Sequence, residues 1–126
     1  MKRFEVTLKK INELYETIQD PMNRHLCILH HKRVLERVKN KRDNELLYVA
    51  AFLLDCGLYL GLPGKHAFSG SKFARFFLSD LHLYSEEEIE KIVDLIALHS
   101  EKEKVHYQEA ELLKQADISA HSLSDL

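Results

Sequence analysis

With 126 residues, 45% apolar and 30% charged, the chain has the length and composition of one soluble domain with a real core. A formal charge of −2 excludes a global electrostatic pull toward nucleic acid or membrane. Cys27 and Cys56 make neither a disulfide framework nor a Cys-x-x-Cys pair, and the longest apolar run is about half the roughly 20 residues that span a bilayer.

The opening MKRFEVTLKK lacks the apolar core of a signal peptide, so the expected location is cytoplasmic, with no membrane association. Phe4, Leu8, Ile11, Leu14, Tyr15 and Ile18 fall at steps of three and four, which predicts a first amphipathic helix. Asp20 and Pro21 read as N-cap and first residue of a second helix. It carries Leu26, Ile28, Leu29, Val34, Leu35 and Val38 and ends in the basic stretch from Lys39 to Arg42. Asp43 or Asn44 then caps a third helix, whose apolar run from Leu46 to Leu54 marks it as central. That helix is expected to end near Gly57.

The segment from Gly61 to Gly64 is the clearest loop. A fourth helix follows from about His66 to Leu81, with Phe68, Phe73, Phe76 and Phe77 expected to fill the core. Because Phe76 and Phe77 are neighbours, one of them is expected to line a contact in a homodimer. Ser85 and Glu88 form a capping box that starts a fifth helix, and a last helix begins around Tyr107. No segment alternates as a strand would. The predicted fold is all-α: a single-domain bundle of about six helices.

Eight histidines are the unusual count in this composition. Placed on the predicted helices, His30, Asp55, His66, His99 and Asp117 come from five different helices, each beside an apolar stretch. A bundle core is where ligands on separate helices can converge. Imidazole and carboxylate together suit a divalent Mn, Fe, Co, Ni, Zn or Mg ion. Each residue alone has a plainer reading, as a polar group satisfying a helix end or facing water. The basic cluster of Lys32, Arg33, Arg37, Lys39, Lys41 and Arg42 reads as a solvated face rather than a nucleic-acid surface, because no aromatics interleave it. Cys27 and Cys56 read as small core residues.

The order of these residues resembles the HD-domain superfamily of metal-dependent phosphohydrolases. His30 to Val34 resembles its opening His-x-x-Arg-Val, and Leu46 to Gly57 its Leu-x-x-Ala-Ala-Leu-Leu-His-Asp-Ile-Gly. His66 to Ala74 is similar to the His-x-x-x-(Gly/Ser)-x-x-x-Ala segment that follows. Ile96 to Ser100 resembles its fifth-helix His-Ser segment, and Leu112 to Asp117 its closing Leu-x-x-Ala-Asp. The resemblance covers residues 25–120, an HD-like core, with residues 1–20 as an added N-terminal helix. It implies a principal metal held by His30, Asp55 and Asp117, with Asp55 in the catalytic centre. His66 and His99 would serve a second metal or the substrate phosphate. The implied substrate is a small phosphorylated molecule such as a nucleotide, and Lys65, Lys72 and Arg75 would help hold its phosphate. One departure matters: where the family has His-Asp, this chain has Leu54-Asp55, and Leu cannot coordinate. Helix geometry makes neither His25 nor His31 a good replacement, since each points off the face of His30. The alternative expectation is therefore a non-catalytic HD-like domain, with a degenerate metal site, that binds a ligand or partner.

Overall fold

The structure, a computed structural model, describes residues 2–121. Seven helical segments follow in order: α1 (Lys2–Glu16), α2 (Pro21–Lys39), α3 (Glu45–Leu53), α4 (Cys56–Tyr59), α5 (His66–Leu81), α6 (Glu86–Leu98) and α7 (Gln108–Ala120). No strand occurs among the described residues. Six of the seven are full helices, and α4 is a four-residue turn.

The boundaries follow local chemistry. Asp20 accepts the Asn23 N–H at 2.9 Å and Pro21 opens α2. Asn44, rather than Asp43, caps α3 by accepting from Leu47 N–H. Ser85 and Glu88 close the reciprocal capping box of α6. Every residue of α3 from Leu47 to Leu53 is buried, and α1, α2, α6 and α7 pack around it. That accounts for an apolar run with no polar face.

The sequence predicts one helix as far as Gly57, but α3 stops at Leu53. Two core side chains take over its end: Tyr15 donates its hydroxyl to Phe52 O, and Asp55 N–H donates sideways to His31 Nε2 at 3.1 Å. Backbone groups that would continue the ladder are satisfied from neighbouring helices instead. Asp55 leaves helical geometry at φ −110° and ψ 20° and turns its carboxylate toward His30 and His99, while Leu54 stays in the apolar core at 0% exposure.

Helix α5 runs over the predicted residues, but its aromatics do not all fill the core. Its buried stripe is small: Gly70, Ser71, Ala74 and Leu78. The reason is a close crossing with α4. A Cβ on Gly57 would collide with His66 O and lie 2.9 Å from Gly70 N, so α4 needs glycine there, and a Cβ on Gly70 would be tight at 3.1 Å from Gly57 N. The phenylalanines are pushed to the flanks. Phe73 and Phe77 stack with centroids 6.0 Å apart and stay half-buried, whereas Phe68 and Phe76 are exposed, Phe76 by 72%. Cys27 and Cys56 are buried free thiols. No described helix is long and apolar enough to cross a membrane.

Candidate metal centre

Three elements bring polar side chains to one end of this core. His30 projects from the buried face of α2, and Asp55 stands at the break after α3. Asp117 lies in the last turn of α7, with His121 as the residue that closes that helix. Asp117 and His121 are four residues apart, so helical geometry sets them on one face. One donor atom from each of the four residues lies within 4.8 Å of all the others.

The short distances centre on His30. Its Nε2 is 2.9 Å from Asp55 Oδ2 and 3.1 Å from Asp117 Oδ1. His121 Nε2 is 3.4 Å from the same Asp117 oxygen, and the His121 and His30 rings stack at 4.1 Å. Two donors held about 2.1 Å from one ion at right angles stand about 3.0 Å apart, so spacings that serve here as hydrogen bonds could also serve a shared divalent cation. His30 is 5% exposed and Asp117 is also buried, whereas His121 is 55% exposed and gives the group an opening to solvent.

The electrostatics depend on one proton. Burial pushes the His30 imidazole down, but its hydrogen bonds to Asp117 and Asp55 outweigh this and raise it to about 9. For both carboxyls burial acts upward and is again overcome. Asp55 is held well below its ordinary value by His30 and His99, and Asp117 is lowered by His30 and Lys102. At neutral pH the ring is therefore an imidazolium, a single Nε2–H shared between two carboxylate oxygens. Its other nitrogen, Nδ1, is buried with no hydrogen-bond partner among the described residues.

His31 does a different job. It is fully buried, stacks on Tyr15 at 4.9 Å and donates Nδ1–H to Cys27 O at 2.7 Å. Its Nε2 lone pair then accepts the Asp55 amide. Burial lowers this imidazole to about 4, which keeps it neutral and able to accept. One histidine of the adjacent pair thus fixes the Asp55 backbone, and the other meets its carboxylate.

Of the residues expected from sequence, the structure joins His30, Asp55 and Asp117. His99 sits behind Asp55, with Nε2 3.2 Å from Oδ1 and Nδ1 directed at Ile96 O, outside the four-donor group. His66 is exposed as the first residue of α5 and is not in that group. Lys65 is exposed beside it, Lys72 lies 4.9 Å over the Phe68 ring, and Arg75 forms a paired contact with Glu90 at 2.6 and 2.8 Å. None of these four lines the cleft beside the donors, a space of about 170 Å³ walled by Leu26, Leu29, His30, Arg33, Tyr59 and His121.

Two contributors escape the motif reading. His121 was detectable from its i,i+4 spacing to Asp117. Lys102 was not: it stands in the α6–α7 connection and donates to Asp117 Oδ2 at 2.8 Å. No protein-family model, curated protein or solved structure matches the chain.

Proposed function

We propose that the chain is a divalent-metal-dependent phosphohydrolase of the HD type, acting on a small phosphoester. The observation that supports this reading is the convergence of His30, Asp55, Asp117 and His121, four donors from three elements within 4.8 Å of one another. In this reading His121 supplies the nitrogen that Leu54 does not. Two imidazoles with two carboxylate oxygens suit Mn, Fe, Co, Ni or Zn better than Mg, which favours an all-oxygen shell.

A bound ion would polarise a phosphoryl oxygen and lower the pKa of a water at that position. The chain's own residues prepare the place for it. Asp55 and Asp117 supply two negative charges in a largely buried setting, and His30 provides the inner nitrogen once its proton leaves. His121 closes the group at its mouth. The adjoining cleft, at about 170 Å³, is smaller than the roughly 300–1,000 Å³ of sites that enclose a drug-sized ligand. It would take a phosphoryl group and leave a larger ester group outside. Arg33 and His121 offer polar wall to the phosphoryl oxygens, and Leu26, Leu29 and Tyr59 an apolar side.

The alternative, a non-catalytic domain that keeps only the pocket, draws on one observation: His30 Nε2 already lies within hydrogen-bond reach of both carboxylates. Metal analysis of protein purified without chelator or nickel column separates the two readings. The phosphohydrolase should carry about one equivalent of a transition metal and turn over p-nitrophenyl phosphate with added Mn. Less than about a tenth of an equivalent, with no Mn-dependent turnover, would discard that reading in favour of the alternative.

A further inference from the structure

The two carboxylates of the donor group are each divided between an inner and an outer oxygen. Asp55 turns Oδ2 to His30 and Oδ1 to His99. Asp117 turns Oδ1 to His30 and His121, while its Oδ2 accepts from Lys102 Nζ at 2.8 Å. The Lys102 ammonium is also anchored by His99 O.

Lys102 is held there by the loop that carries it. Beneath the α6–α7 connection lies Lys114, a lysine only 3% exposed. It donates to Glu101 O at 3.1 Å and Lys104 O at 2.6 Å, and it pairs with Glu111 at 2.6 Å. Glu111 also accepts the His106 N–H at 2.8 Å. The backbone on both sides of Lys102 is therefore tied to α7, the helix that bears Asp117. Burying an ammonium is costly unless it is fully partnered, and here the partners are two loop carbonyls and the Glu111 carboxylate.

We propose that Lys102 is a positioning residue for the metal centre: by holding Asp117 Oδ2 outside the donor group, it keeps Asp117 a one-oxygen ligand and leaves room and unbalanced positive charge for an anionic phosphoryl group. The inference rests on the metal reading above. Four single-atom donors leave a six-coordinate ion with open positions. Two carboxylates cancel a divalent charge, the imidazoles are neutral as ligands, and the Lys102 charge remains over. Without Lys102, Asp117 can rotate, present both oxygens and occupy a position that the anion needs.

The test uses Co(II) as the metal and inorganic phosphate as the anion, with wild type, Lys102→Met and Lys102→Arg compared by visible absorption. Wild type should bind Co(II) and change its spectrum on addition of phosphate. Lys102→Met should bind Co(II) at least as tightly, show a shifted visible spectrum as a second Asp117 oxygen takes the place of a water, and lose phosphate affinity by at least about tenfold. Lys102→Arg should restore the wild-type spectrum and most of the phosphate affinity. Wild type that binds no Co(II) overturns the metal reading and this inference together. Wild type that binds Co(II), beside a Lys102→Met protein with unchanged spectrum and phosphate affinity, overturns this inference alone. So does a folded Lys102→Met protein that has lost Co(II), since Lys102 would then be a mere prop for the ligand.

Discussion

Two polar networks in this bundle are built from similar parts and end in opposite states. At one end Arg3 of α1 lies between Glu45 and Glu88, with guanidinium nitrogens 2.9–3.1 Å from all four carboxylate oxygens. It also donates to Leu83 O and stacks 4.2 Å over the Tyr84 ring, whose hydroxyl reaches Glu45 Oε2 and Thr7. At the other end Asp55 and Asp117 turn their inner oxygens to a single His30 nitrogen. The first pair of carboxylates has a permanent cation with a donor for every oxygen; the second has one titratable proton for two oxygens. A clasp needs the first arrangement. A site that trades a proton for a metal ion needs the second.

The sharpest way to break the contrast is His30→Ala. In metal-free protein this removes the group that bridges two largely buried carboxylates, and a broken buried pair costs about 3–5 kcal/mol. Urea denaturation in the presence of a chelator should show that loss. The same network sets a pH response with a definite sign. His30 stands at about 9 in the folded chain against an ordinary 6.5, so its contribution is fully present below pH 6.5 and lost as pH rises to 9. His31 acts in the opposite sense. Lowered to about 4, it contributes above pH 6.5, and that share is lost as pH falls to 4. Metal-free stability should peak between these windows, while the stabilisation conferred by added Mn should grow from pH 6.5 to 9, because the ion displaces the His30 proton. The His30→Ala variant should lose the alkaline decline, whereas the Arg3 clasp has no group that titrates in that range.

Next in size is Leu54→His. By sequence, Leu54 stands where the resemblance places a ligand; in the fold it is a fully buried core residue. A polar ring there has no partner prepared for it and should cost about 2–4 kcal/mol. Mn affinity, measured by calorimetry, should not rise. A Leu54→His protein that gains metal would show that His121 does not fill the fourth place.

Arg3→Met tests the other network. Its guanidinium is about a third exposed, and solvent screens it, so the loss should be about 1–2 kcal/mol. Part of that is the repulsion of Glu45 and Glu88 left facing each other. Metal affinity should be unchanged, and a thermal melt with and without Mn separates the two effects.

The helices were legible because their signals are local. Caps at Asp20 and Ser85 and three- and four-residue apolar steps say where a helix starts and which side it buries. The features that were not legible are set across the fold. The stop at Leu53 comes from Tyr15 and His31, residues on other helices. The outward turn of Phe68 and Phe76 comes from the Gly57–Gly70 crossing, which no periodicity in α5 reveals. The site divides along the same line: His30, Asp55 and Asp117 stand out as polar residues in apolar context, but Lys102 is placed only by the loop tied down by Lys114.

His121→Ala gives the smallest stability change and the finest discrimination. The residue is more than half exposed at the end of α7, so metal-free stability should stay within about 0.5 kcal/mol of wild type. Its Nε2 faces Asp117 Oδ1, and removing one of four donors should weaken Mn binding by at least about tenfold. Here the two networks part most clearly. In the Arg3 clasp each side chain contributes to the standing structure, so its removal is felt in the melt. In the donor group an outer member can leave the fold almost untouched and still be missed by the ion. Equal Mn affinity in wild type and His121→Ala would remove His121 from the ligand set and reduce the group to His30, Asp55 and Asp117.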